Sequence, residues 1–98
     1  MRRYMKVDWL HEVEDDPVVL YSEVVDGEET RKVEVYRNGR MDYACDGVET
    51  GSTRLSSVLM PAVEEFDGQP EFAAEVITAE VFEDVWRRAI TPGTASDN

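Results

Sequence analysis

The sequence predicts an α+β domain: a four- or five-stranded antiparallel meander with a C-terminal amphipathic helix packed on one face. Two observations favour this fold. Several short segments alternate apolar and polar residues, as strands do, and brief turn signals separate them. The last segment instead repeats its apolar residues at helical spacing. A chain of 98 residues has the length of one domain, and we expect residues 1–90 to form it and residues 91–98 to be a disordered tail.

Four strands are predicted in the first half of the chain, at residues 4–13, 18–25, 30–37 and 40–45. The second has apolar residues on both sides, which is typical of a central strand. Residues 14–17 and the pair Asp26-Gly27 are turn signals between these strands. The pair Asn38-Gly39 predicts a type I′ hairpin, because both central residues of that turn need a positive φ and this pair adopts it readily.

Alternation stops between residues 46 and 68, where glycine and hydroxyl residues predict an irregular loop with one helical turn at 61–66. A weaker fifth strand is predicted at 71–77. Thr78 then suits a helix N-cap, and residues 79–89 carry one apolar stripe, with acids early and arginines late as the helix dipole favours. We expect Trp9 and Trp86 to meet between the sheet and the helix, because large rings dominate small cores.

The charge of the chain disfavours several kinds of partner, since 22 acidic residues against 10 basic ones leave a net charge of −12. Nucleic acids and anionic membranes are disfavoured, because both are bound through clustered Lys and Arg. The acidity is compatible with a basic protein partner, with a divalent cation, or with solubility alone. No apolar stretch reaches the roughly 18–20 residues of a membrane helix. Asp8 leaves no room for the apolar region of a signal peptide, so we expect a cytoplasmic protein.

No motif in the sequence predicts a catalytic residue, a metal site or a cofactor. Cys45 is the single cysteine, so it can form neither an internal disulfide nor a thiolate metal site, and nothing ties it to His11, the single histidine. The acidic run at 14–16 lacks the spaced ligands of a calcium loop. The sequence therefore favours a protein that is not an enzyme and leaves enzymatic activity open as an alternative.

Two groups of residues are candidate binding sites. The first is a polar surface on the second and third strands, where tyrosines stand among charges as they do at protein interfaces. Its members are Tyr21, Glu23, Lys32, Glu34 and Tyr36. The second is a pocket between the sheet and the irregular segment 46–68. Its members are His11, Tyr43, Thr53 and Arg54.

Sequence patterns along most of the chain resemble a known family. The patterns are Trp9-Leu10-His11-Glu12, Tyr21-Ser22-Glu23, Arg31-Lys32-Val33-Glu34, Gly51-Ser52-Thr53-Arg54-Leu55 and Phe82-Glu83-Asp84-Val85-Trp86, with Pro17, Gly39, Tyr43, Pro61 and Glu71-Phe72 between them. Together they resemble a family of small bacterial proteins catalogued as domain of unknown function 6881, over residues 4–89. The resemblance implies a free-standing single domain of bacterial or phage type. It implies no activity, cofactor, substrate or site residue.

Three functions follow as hypotheses. The first is a small acidic module that binds a basic protein partner, in the manner of an immunity protein or antitoxin that covers a nuclease toxin. The second is a small ligand-binding domain or enzyme that uses the pocket beside segment 46–68. The third is a homodimer built through an exposed sheet edge, so that the sequence leaves both monomer and homodimer open.

Overall fold

The computed structural model describes residues 1–66 and 68–91 as an open six-stranded antiparallel sheet with one C-terminal helix. The strands are β1 Arg2–Trp9, β2 Val19–Val25, β3 Glu28–Val35, β4 Met41–Cys45, β5 Val48–Glu49 and β6 Phe72–Ile77. A short 3-10 helix spans Val63–Phe66, and helix α1 spans Ala79–Ile90. The α+β prediction is confirmed, with one strand more than expected because β5 is too short to show alternation.

The sheet has the spatial order β5-β4-β3-β2-β1-β6. The first five strands form a meander, of which the first four were predicted, and β2 is an inner strand, as its apolar residues on both sides indicated. β6 returns to the opposite edge and pairs with β1, where Tyr4 lies opposite Ile77. β1 ends at Trp9 rather than at the predicted Val13, because the chain leaves the sheet there and enters the connection to β2.

The type I′ turn lies at Asp26-Gly27, where φ is 52° and 88° and two residues join Val25 to Glu28. The prediction of this turn at Asn38-Gly39 is wrong. Three residues, 37–39, separate the paired Tyr36 and Arg40, and only Gly39 among them has a positive φ, of 92°. A three-residue hairpin places glycine at its single left-handed position, which leaves Asn38 in an ordinary conformation.

Helix α1 packs across one face of the sheet, called here the helix face. Its side chains Phe82 and Val85 are buried, and the Phe82 ring centroid lies 5.2 Å from that of Tyr4. The ring of Trp86 meets Tyr43 at 5.4 Å. Thr78 is the N-cap as predicted, since its hydroxyl accepts a hydrogen bond from the amide of Val81. Except for Thr91, the predicted tail lies outside the described residues.

Residues 50–66, called here the covering segment, lie over the opposite face of the sheet. The core on that face consists of Met5, Val7 and Val24, and the partly buried side chains packed against it include Met60, Val63 and Phe66 of this segment. The segment predicted as an irregular loop is therefore a third layer, and its helical turn appears as the 3-10 helix.

The predicted contact between Trp9 and Trp86 is wrong. Trp9 lies on the face of the covering segment, where its ring is 6.0 Å from Phe72. Trp86 lies on the helix face beside Tyr43. Successive side chains of a strand alternate between faces, and the odd-numbered core residues of β1 face away from the helix.

Candidate functional site

The predicted polar surface on β2 and β3 is divided between the two faces of the sheet. The register pairs Tyr21 with Val33, which places Tyr21 and Glu23 on the helix face and Lys32 and Glu34 on the opposite face. Tyr36 is buried just beyond the end of β3. These five residues therefore form no common surface, because a shared side within each strand does not tell which sides of two strands coincide.

Glu23 connects the sheet to the helix through an arginine. Arg31 donates to both carboxylate oxygens of Glu23, at 2.8 and 2.6 Å, and its guanidinium also bonds Glu83 of α1 at 3.1 Å. The guanidinium carbon lies 4.9 Å from the Phe82 ring centroid and 5.1 Å from that of Trp86. Hydrogen bonding to Arg31 lowers the pKa of Glu23 from 4.5 to about 2. This cluster fixes α1 to the sheet. Its charged groups pair with one another, so the cluster is structural rather than a binding site.

Lys32 and Glu34 hold the covering segment against the sheet. The Lys32 ammonium donates to the carbonyl oxygen of Arg54 at 2.7 Å, and the Thr53 hydroxyl donates to Glu34 at 2.6 Å. Buried Glu29 accepts a hydrogen bond from the amide of Ser56 at 2.7 Å. These bonds satisfy polar groups that would otherwise be stranded between the two layers.

The four residues of the predicted pocket do not converge. Thr53 is fully buried under Glu34, and Arg54 is exposed and pairs with Glu49 at 3.2 Å. Tyr43 lies on the helix face, and His11 lies at the end of the sheet. A cavity of about 430 Å³ does lie between β3 and the covering segment, but it is lined by Glu28, Glu29 and residues 55–59, and none of the four predicted residues lines it.

Residues 10–18, called here the acidic loop, form a different candidate site at the end of the sheet. His11 fixes this loop from within. Its Nδ1 accepts the amide hydrogen of Val13 at 3.0 Å, so Nε2 carries the proton and donates to the carbonyl oxygen of Pro17 at 2.7 Å. Arg37 donates to the carbonyl oxygen of His11 at 2.7 Å, and the Trp9 ring meets the imidazole edge at 4.5 Å. The loop is therefore held at both ends and across its middle.

The acidic loop presents apolar and acidic groups together. Leu10 is 66% exposed and Val13 is 53% exposed. Glu12, Glu14 and Asp15 are exposed beside them. Within the described part of the chain, these three carboxylates make no hydrogen bond or ion pair. Their charge is thus available to a partner.

A row of residues on the helix face continues this surface across the sheet. The row is called here the open row, and its members in spatial order are Ala73, Asp8, Val19, Val35 and Met41. It lies two rows away from Tyr4 and Arg31, which contact α1, so Val19, Val35 and Met41 stay half-buried. A shallow cleft of about 790 Å³ joins the row to the acidic loop. Sequence alternation showed these apolar positions, but only the strand register shows that the helix leaves them uncovered.

Residues 3–91 match the model of the family described as Domain of unknown function (DUF6881), and the chain belongs to this family. No curated protein and no solved structure matches the chain. Among the described residues, no helix has both the length and the apolar character that crossing a bilayer requires. In the same residues, no three His, Cys, Asp or Glu side chains are grouped so that they could hold a metal ion.

Proposed function

We propose that this protein is an interaction module that binds a basic protein through the acidic loop and the adjoining open row. The observation that supports this most directly is the pairing of exposed Leu10 and Val13 with three unpaired carboxylates on one fixed loop. Protein interfaces commonly combine an apolar centre with a polar rim. The half-buried Val19, Val35 and Met41 would enlarge the apolar centre.

The distribution of cations supports a basic partner rather than an acidic one. Every Lys and Arg side chain contacts a carboxylate or a carbonyl oxygen of this chain. The carboxylates of the acidic loop are not used in this way. Arg37 bonds a neutral carbonyl oxygen and so keeps its charge beside the loop, but four carboxylates, at residues 12 and 14–16, outnumber it. The net charge at this end is negative, and a positively charged protein is the partner whose association it accelerates.

The hydrogen bonds within the loop favour tight binding. A flexible loop loses conformational entropy when it binds, at a cost of about 0.5–1.5 kcal/mol for each immobilised side chain. His11 and Arg37 hold the loop backbone before any partner arrives. The backbone of the proposed interface is therefore preorganised. The entropy of ordering it is lost when the chain folds and not when the partner binds.

A comparison of two triple variants tests the proposal. The loop variant carries Glu12→Gln, Glu14→Gln and Asp15→Asn, and the control variant carries Glu28→Gln, Asp46→Asn and Glu64→Gln. Both sets are exposed and remove the same charge, and the control residues also make no hydrogen bond or ion pair within the described chain. Each protein is immobilised and exposed to a lysate of the source organism at low salt, and the retained proteins are identified by mass spectrometry.

We expect one basic protein to be retained by the unchanged chain and by the control variant, and to be lost from the loop variant. With that protein purified, its association rate should fall roughly tenfold in the loop variant and should fall with added salt. Equal retention by the loop variant would place the interface elsewhere. An association rate that does not change with salt concentration would refute the electrostatic part of the proposal.

A further inference from the structure

The two edges of the sheet differ in what they offer to another strand. β5 closes one edge with only two residues, whereas β6 runs for six residues along the other and has a neighbour, β1, on one side only. β6 contains no proline, and its register with β1 runs without a bulge from Phe72 to Ile77. Natural edge strands are usually protected by shortness, proline, bulges or charge. β6 lacks the first three of these.

The register shows which backbone groups face outwards from β6. The amide of Leu10 donates to the carbonyl oxygen of Glu71 at 2.7 Å, and hydrogen-bonded pairs alternate along an antiparallel ladder. The odd-numbered residues of β6 therefore bond to β1. Ala74 and Val76 direct both their N–H and C=O groups to the free edge. Phe72 offers its C=O there, because its amide already donates to Gln69.

The charge of this edge favours a second copy of the chain over a basic partner. Glu75 is the only charged residue of β6, and it lies 4.0 Å from the Lys6 ammonium on β1. Val76 on the same strand is 64% exposed. In a chain of net charge −12, this edge is nearly neutral and apolar. The charge carried by β6 itself therefore opposes self-association only weakly.

We propose that two copies of the chain pair antiparallel through β6 about a twofold axis at Ala74, and so form one continuous twelve-stranded sheet. This register makes four backbone hydrogen bonds: two between the Ala74 residues, and one from each Val76 amide to Phe72 of the partner subunit. It also places each Val76 side chain against that phenylalanine, a favourable aromatic and β-branched pair. A register centred on Glu75 is disfavoured, because it would place two carboxylates directly opposite each other.

Light scattering coupled to size exclusion tests the dimer with the full chain. We expect a mass of about twice the 11.2 kDa of one chain, with a dimer fraction that rises with salt as the net negative charges are screened. Added salt should strengthen dimerisation but weaken binding of the basic partner proposed above. The two proposals can therefore be refuted independently of each other. A mass of one chain at every concentration and salt would overturn the inference.

Matched substitutions locate the interface. Val76→Lys should raise the dimer dissociation constant at least about tenfold, since a twofold axis doubles its effect. Val48→Lys, the same change on the β5 edge, should leave it unchanged. In a Cys45→Ser background, oxidation should cross-link Ala74→Cys, whose Cα atoms would lie about 5.5 Å apart, but not Glu75→Cys. Cross-linking of the second variant alone, or a larger effect at Val48, would refute the proposed pairing.

Discussion

The environment of the Glu23 carboxylate predicts how the free energy of unfolding falls in acid. Its side chain is 8% exposed and bonds the Arg31 guanidinium through both oxygens. Those bonds lower its pKa from 4.5 to about 2 in the folded protein. A carboxyl group with a depressed folded-state pKa stabilises the fold at pH values above its unfolded pKa, and that contribution is lost as the pH falls towards the folded value.

The size of this contribution follows from the two pKa values. A difference of one pH unit corresponds to about 1.4 kcal/mol, so Glu23 contributes about 3 kcal/mol at neutral pH. This contribution declines between pH 4.5 and about pH 2, where the folded protein also protonates the group. Glu23→Gln removes the ionisable group and keeps its shape. Its cost should therefore be about 3 kcal/mol at pH 7 and should shrink towards zero near pH 2.

Urea unfolding followed by tryptophan fluorescence measures this difference, because Trp86 packs on Arg31. The free energies of unfolding of the original chain and of Glu23→Gln are compared at intervals from pH 7 to pH 2. Glu28→Gln is the control, since Glu28 is exposed and makes no hydrogen bond or ion pair within the described chain. A cost of Glu23→Gln that is the same at every pH would refute the reasoning.

Three further substitutions test the packing of the fold by urea or thermal unfolding. Phe82→Ala should cost about 3–5 kcal/mol, because this side chain is fully buried and its truncation leaves a cavity between the helix and the sheet. Thr78→Ala should cost about 1 kcal/mol through loss of the N-cap, and Thr78→Ser should recover most of it. Gly51→Ala should cost at least about 1 kcal/mol more than Gly47→Ala. Both glycines have a positive φ, but only at Gly51 would a Cβ lie 2.8 Å from the Asp42 carboxyl carbon; equal costs would contradict this explanation.

Local structure could be predicted from the sequence wherever one short segment determines it. The helix, its cap at Thr78 and the strands of the meander are each set by spacing and by neighbouring turn residues, and they agree with the structure to within a few residues. The types of the two hairpin turns are harder to predict from the sequence. Asp26-Gly27 and Asn38-Gly39 are similar as dipeptides, and the turn type depends on which flanking residues pair across the strands.

Relations between distant segments could not be predicted in this way. Whether Trp9 faces Trp86 depends on which side of β1 the helix crosses, and no local pattern contains that information. The covering segment has no period because it packs as an irregular layer, with Met60 and Phe66 as isolated anchors. The open row depends on the register of five strands at once. The acidic residues of the loop were visible in the sequence, but their exposure beside Leu10 was not.

The place of β6 in the sheet has a consequence for the order in which the chain folds. The strands β1 to β4 are joined by short connections and can pair as soon as they leave the ribosome, whereas β1 must wait for β6, with Tyr4 opposite Ile77. Closing so long a loop is slow compared with forming a hairpin. Thr78 alone separates β6 from α1, so the last strand and the helix dock together. Until they do, the nascent meander exposes the edge of β1, and this interval is when the protein is most prone to aggregate.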